Sequence, residues 1–102
     1  MTGARHPHEL DRLLHEPARL QTLVQLAAVR KADFTWLLHR TGLTRGNLSV
    51  QMGRLADAGV VKVDKRFHNN RPQTVYELTS AGRQALRDYK ANMQRLLDAL
   101  PD

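Results

Sequence analysis

The sequence contains no cysteine, which excludes a disulfide-stapled scaffold, thiol catalysis and a cysteine-ligated zinc site. Only 5% of its 102 residues are aromatic although 41% are hydrophobic, so the core must consist mainly of Leu, Val and Ala, a mixture that favours helices. Its apolar runs are far shorter than the ~20 residues that span a bilayer, and no signal-peptide pattern opens the chain. These absences predict one small cytoplasmic domain without a membrane partner.

Acidic residues are outnumbered by basic ones. Sixteen Lys and Arg against ten Asp and Glu give a net charge of +6 and a pI near 10.5. Such a domain fits a polyanionic partner, because phosphate charge attracts it over a long range. Charge alone does not separate DNA from RNA or from an anionic membrane.

The residues of catalytic or metal sites are also poorly placed. His6, His8 and His15 would converge on a metal only if the N-terminal segment folded back, and no acidic or cysteine partner stands at ligand spacing. The sequence has no nucleophile–histidine–carboxylate set, phosphate loop or paired-carboxylate pocket. We therefore expect no catalytic residue, no metal and no cofactor.

The first part of the chain is predicted to be helical. Residues 1–7 have no periodicity and are expected to form a disordered arm before a single domain over 8–102. Pro17 suits the first position of a helix predicted over 17–30. Its apolar stripe follows the spacing i, i+3, i+4 and i+7 and comprises Leu20, Leu23, Val24 and Ala27.

Two further helices are separated by a tight turn. The first is predicted over 35–41, with Asp33 or Thr35 as its N-cap and Gly42 as its end. The second is predicted over 44–58, and its inward face carries Leu48, Met52 and Leu55.

The pattern then changes to alternation, which is typical of strands. A hairpin is predicted over 60–78, with a polar turn at 68–72, and a long helix over 79–100. The inward strand positions are Val61, Val63, Thr74, Tyr76 and Leu78. This order of elements predicts a mainly helical α+β fold, a winged helix-turn-helix with a long C-terminal dimerisation helix.

Three segments resemble a known family. Residues 41–49 (TGLTRGNLS), 55–61 (LADAGVV) and 74–82 (TVYELTSAG) are similar to winged-helix regulators of the MarR and ArsR groups. The resemblance implies a homodimeric prokaryotic protein that binds double-stranded DNA in the nucleoid, with its third helix in the major groove and its hairpin, the wing, on the backbone. No metal motif or effector domain accompanies it, so ArsR-type metal sensing is not implied, and any small-molecule effector is unidentified.

The side chains suited to DNA lie on the third helix and the wing. Asn47 and Gln51 can read adenine, Arg54 or Arg45 can read guanine or hold phosphate, and Val50 can touch a thymine methyl. A solvated helix face and edge-protecting lysines are the alternative interpretations. The predicted DNA-binding residues are Thr44, Arg45, Gly46, Asn47, Ser49, Val50, Gln51, Arg54, Lys65, Arg66, His68, Asn70 and Arg71.

An apolar seam on the last helix predicts a dimer. This seam has a spacing of 3, 4, 3 and 4 residues and consists of Leu86, Tyr89, Met93, Leu96 and Leu100. Only its first part can pack on its own domain. Alternatively, the helix folds back on the N-terminal segment. The predicted dimer residues are Leu10, Leu13, Leu14, Leu86, Tyr89, Met93, Leu96, Leu97 and Leu100.

A second function remains open at this point. A winged helix can also be a protein-interaction or RNA-binding module without operator specificity. The scarcity of aromatic side chains counts against stacking of single-stranded bases.

Overall fold

Four helices and a three-stranded antiparallel sheet make up the fold in this computed structural model, which describes residues 11–102. The predicted arm at 1–7 and Leu10 lie outside these residues. The α+β winged helix-turn-helix architecture is confirmed. The elements are α1 (Pro17–Ala27), β1 (Ala32–Asp33), α2 (Phe34–Thr41), α3 (Arg45–Asp57), β2 (Val61–His68), β3 (Arg71–Leu78) and α4 (Ser80–Asp98).

Each helix begins at a side chain that accepts a backbone N–H from its first turn. Glu16 caps α1, Thr44 caps α3 and Thr79 caps α4. Asp33, rather than Thr35, caps α2, because its Oδ1 accepts the N–H of Trp36 at 2.7 Å. The helix starts are therefore encoded locally.

The core lies where α1, α2 and α3 meet one face of the sheet. Its fully enclosed apolar side chains are leucines and one methionine, and Thr22 is enclosed with them. An apolar side chain of this kind contributes roughly 1.5–3 kcal/mol when it leaves water. The deepest are Leu14, Leu23, Leu26, Leu37, Leu48, Met52 and Leu55.

The predicted stripe of α1 is partly wrong. The helix ends at Ala27 rather than near 30, and it buries Leu23 and Leu26 together with Thr22. Val24 is 56% exposed and Ala27 is also exposed. The contacts of α1 with α2, α3 and β3 determine which face of the helix is buried, and Val24 and Ala27 lie outside that face.

Leu14 requires a second correction. It is completely buried within the protomer, so its side chain is not available for the expected dimer contact. The neighbouring segment is tied to α4 by a hydrogen bond of 2.8 Å between His15 Nδ1 and the Tyr89 hydroxyl. Burial raises the pKa of Tyr89 above its ordinary value, because the charged form would lose hydration.

The sequence did not indicate β1. Ala32 and Asp33 pair with Tyr76 and Val75 of β3, so β3 is the central strand in the order β1-β3-β2. Two residues are too few for a visible alternation. In the hairpin, Val61, Tyr76 and Leu78 face inward as expected, but Val63 is 37% exposed because the core ends before it.

Gly82 lies where the start of α4 packs against the segment that follows α3. A Cβ at this position would lie 2.2 Å from the carbonyl oxygen of Val60, as expected for a glycine that permits close packing. The same carbonyl accepts the N–H of Thr79 at 3.1 Å. The contact is therefore backbone against backbone and has little room to adjust.

Gly82→Ala should lower the free energy of unfolding by roughly 2–3 kcal/mol, because the Val60 carbonyl must move. Gly53→Ala is the matched control: no atom lies within 4 Å of the added Cβ, and the helix should gain up to about 1 kcal/mol. Urea denaturation measures both. Equal stability of the two variants would contradict this account of Gly82.

Candidate nucleic-acid interface

A tight turn sets α3 against α2. Gly42 ends α2 in the left-handed conformation, with φ +70°, and its N–H donates to the Leu38 carbonyl at 3.1 Å. Thr41 is buried beside it, donates through its hydroxyl to the Leu37 carbonyl at 2.8 Å and accepts the Leu43 N–H at 3.3 Å. Gln21 of α1 adds a contact from outside the turn, because its Nε2 donates to the Thr41 carbonyl at 3.1 Å.

The two faces of α3 differ sharply. Leu48, Met52 and Leu55 are at most 1% exposed. The opposite face is in water, and one of its apolar side chains, Val50, is 52% exposed. Of the predicted contacts in this segment, only Gln51 is half-buried; the exposed ones are Thr44, Arg45, Gly46, Asn47, Ser49, Val50 and Arg54.

Gln51 is held by a residue that the sequence did not single out. Nη1 of Arg19, in the first turn of α1, donates to Gln51 Oε1 at 3.0 Å. Nε2 of Gln51 then donates to Asn47 Oδ1 at 2.9 Å. In the sequence Arg19 looks like any solvated cation on an amphipathic helix, and no spacing rule links it to α3.

The wing extends beyond the core as an almost uncovered hairpin. Residues 62–71 are all exposed, and Asn69 and Asn70 form its two-residue turn with φ of +52° and +63°. Positive φ at both central residues is the geometry that matches strand twist in tight hairpins, and asparagine tolerates it. The predicted wing contacts are all at the surface: Lys65, Arg66, His68, Asn70 and Arg71.

The wing cations are not electrostatically equal. The Arg66 guanidinium forms an ion pair with Asp64 on the same strand, with an Nε–Oδ2 distance of 3.0 Å. This pairing offsets part of the charge of Arg66. Lys65 and Arg71 have no carboxylate partner among residues 11–102.

The wing and α3 border a common cleft of 210 Å³. Ser49 and Gly53 line it from α3, and Val63 and Lys65 line it from β2. The cleft therefore brings together one predicted contact from each element, Ser49 of α3 and Lys65 of the wing.

Asp33 anchors the outer half of the wing. Its Oδ1 caps α2, and its Oδ2 accepts from Gln73 Nε2 at 3.1 Å, so one carboxylate joins α2 to β3. The sequence predicted the cap but gave no indication of the link to Gln73. Phe67, near the wing tip, is 76% exposed, and no sequence pattern indicated this exposed aromatic side chain.

A separate apolar surface lies between α1 and α4. Leu20, Val24 and Ala27 face Leu86 and Met93 across a groove of 500 Å³, which one edge of the largely buried Tyr89 also lines. Beyond it two leucines of α4, Leu96 and Leu97, are 41% and 52% exposed, and Leu100, just past the end of the helix, is 67% exposed. Leu13, predicted to lie at the dimer contact, is half-buried against the protomer's own core.

Comparison with known proteins decides the family. A family model described as a winged helix DNA-binding domain matches residues 18–97. The chain belongs to this family. Its members bind DNA and are not enzymes. Among residues 11–102, no helix has both the length and the apolar character required to cross a membrane.

Solved structures agree with the assignment. A transcriptional regulator homologue from Pyrococcus horikoshii is 32% identical, with a TM-score of 0.81 over 90% of this chain and 91% of its own. A Mycobacterium tuberculosis protein is 30% identical, with a TM-score of 0.71 over 85% and 84% of the two chains. Staphylococcus aureus MarR, 17% identical, shares the fold with a TM-score of 0.67 over 79% of this chain and 53% of its own.

Asp33→Ala should lower the free energy of unfolding by about 1–2 kcal/mol, because the α2 cap and the link to Gln73 are both lost. Asp57→Ala, an exposed change at the end of α3, is the control and should alter stability by no more than about 0.5 kcal/mol. Thermal and urea unfolding measure both. An Asp33 variant as stable as the control would disprove the bridging role.

Proposed function

We propose that this winged-helix protein is a homodimeric transcriptional regulator that binds specific double-stranded DNA in a prokaryotic nucleoid. In this proposal α3 enters the major groove and the wing contacts the backbone or the minor groove. The observation that carries it is the exposed face of α3 bordering the same cleft as the cationic wing. The family's DNA-binding character supports the choice of partner.

The composition of α3 favours close approach to another backbone. Gly46 and Gly53 lie on its exposed side, and a Cβ at either would meet no atom within 4 Å. Packing within the protein therefore does not require them, although each costs about 1 kcal/mol relative to alanine in a helix. A helix that must enter a groove gains from the missing side chains.

The wing suits contact with phosphate. Most of its cations stand on β2, which buries nothing beyond Val61, and a net charge of +6 raises the local potential. Binding that releases counterions from DNA weakens with salt, by about 0.9 log units per log unit of salt for each phosphate contacted. Arg71, next to the turn and without a carboxylate partner among the described residues, is the foremost wing contact.

A second copy of the chain is the proposed occupant of the α1–α4 groove. The chain carries both halves of a self-complementary contact: the groove at Val24, Leu86 and Met93, and the uncovered leucines further along α4. A two-fold axis across α4 would bring the leucines of each protomer to the groove of the other. Such a dimer can present two α3 helices to major grooves one turn, about 34 Å, apart.

Arg54→Ala should reduce discrimination between DNA sequences, because Arg54 lies on the exposed face of α3. Arg71→Ala should instead weaken binding to all duplexes similarly and lower the salt slope by about 1. Fluorescence anisotropy with selected and scrambled duplexes at several salt concentrations measures both effects. Arg87→Ala, an exposed charge loss on α4, is the control. If wild type binds no duplex even at low salt, DNA binding is disproved; wild-type behaviour of both variants would instead reject the assigned contact face.

Leu96→Glu should convert a dimer to a monomer, since it puts a charge on an exposed seam position without disturbing the core. Ala91→Glu makes the same charge change at an exposed position off the seam of α4 and should leave the dimer intact. Sedimentation equilibrium distinguishes the 11.6 kDa chain from twice that mass. Wild-type protein that sediments as a monomer at tens of micromolar would exclude the proposed dimer.

A further inference from the structure

We propose that Arg19 sets the hydrogen-bond polarity of the base-reading face of α3, so that Asn47 presents donors to DNA. This inference rests on the proposed function and adds a specificity-determining residue to it. Arg19 need not touch DNA, because it acts through Gln51 as a positioning residue. The predicted consequence is a preference for a base edge that carries acceptors.

The guanidinium of Arg19 is held in place before DNA arrives. The Nε of Arg19 donates to the Leu13 carbonyl at 2.6 Å, and the backbone N–H of Arg19 donates to the Glu16 carboxylate at 2.8 Å. One of its two terminal nitrogens, Nη1, donates to Gln51 Oε1 at 3.0 Å. Arg19 is half-buried, so these contacts are less open to competition from water.

The orientation of the Gln51 amide follows from chemistry alone. Arginine has five donor hydrogens and no acceptor, so the amide atom that faces it must be oxygen. The nitrogen of Gln51 therefore points the other way, to Asn47 one helical turn earlier, at 2.9 Å. A nitrogen facing Asn47 requires an oxygen opposite it, which orients the second amide as well.

Asn47 is consequently left with its Nδ2 group as the free end. Neither hydrogen of this group meets a partner within residues 11–102, and the side chain is exposed on the face assigned to DNA. In the major groove, guanine offers two acceptors, O6 and N7, whereas cytosine offers the N4 donor. Asn47 should therefore favour a guanine edge over a cytosine edge.

The network also revises the expectation that Gln51 reads adenine. A bidentate contact with adenine uses both the oxygen and the nitrogen of the amide. In Gln51 the oxygen is held by Arg19 and the nitrogen is engaged by Asn47. Gln51 therefore serves as the connecting member of the network, and Asn47 is the reader.

Gln51→Glu is the decisive variant, because it should reverse the amide of Asn47 while keeping a side chain of the same length at position 51. A carboxylate accepts only, so Glu would keep Arg19 bound while Asn47 turns its nitrogen inward and its oxygen outward. Wild type should bind a G·C pair at this position about tenfold more tightly than C·G, and the variant should invert that order. The added negative charge weakens binding to both duplexes, so the ratio of the two affinities is the readout.

The experiment begins with selection of wild-type sites from a duplex library with a randomised core. Anisotropy is then measured on the selected duplex and on copies with each base pair inverted. Arg19→Met should abolish the preference at one pair, because both amides can then flip, whereas Arg87→Met, the charge-matched change on α4, should retain it. Circular dichroism melting verifies that the variants are folded.

A measurement on the free protein tests the clamp without DNA. Side-chain amide resonances of Gln51 and Asn47 should shift in Arg19→Met and stay in place in Arg87→Met. Unchanged resonances in Arg19→Met, or the same base preference in wild type and Gln51→Glu, would overturn the inference. If wild type selects no duplex while the resonances shift as expected, the proposed function fails and the clamp stands.

Discussion

Burial of one face of α3 is the constraint on which the interface depends. Leu48, Met52 and Leu55 recur every four and three residues and have almost no exposed surface. Rotating the helix about its axis would bring them into water at a cost of roughly 1.5–3 kcal/mol each. The helix is therefore locked in rotation, and its polar face points outward because the apolar face cannot.

The wing obeys a different constraint. Its base shares the core through Val61, Tyr76 and Leu78, whereas its outer half is held by strand pairing, by the asparagine turn and by the hydrogen bond from Gln73 to Asp33. Segments with few apolar contacts open locally at a lower free energy than the core. Asp33 therefore has a larger structural role than its exposure suggests, since it ties the outer half of the wing to α2, the helix that the turn at Gly42 joins to α3.

The parts of the fold that can be predicted are those determined by residues close together in the sequence. The caps at Asp33, Thr44 and Thr79 and the left-handed Gly42 each depend on neighbours in sequence. Hydrophobic periodicity likewise identified the buried face of α3, because that helix has a single apolar stripe.

The parts that sequence could not supply depend on tertiary contacts. α1 carries enough apolar residues for two faces, and periodicity alone cannot say that Leu26 is buried while Val24 is exposed. β1 exists only through its partner β3, and the Arg19–Gln51 bond joins residues 32 positions apart. In the candidate site, position on the helix was therefore predictable but the polar network around it was not.

Shape and polarity in this interface have separate origins. Core packing determines where the amides of Asn47 and Gln51 lie, but the two ends of an amide have nearly the same size, so packing cannot choose which end faces outward. A partner that only donates makes that choice. Arginine suits the task better than lysine, because its planar fork can bind the Leu13 carbonyl and Gln51 in two fixed directions at once. A cation on α1 that is remote in sequence from α3 thereby takes part in the hydrogen bonding of the α3 side chains.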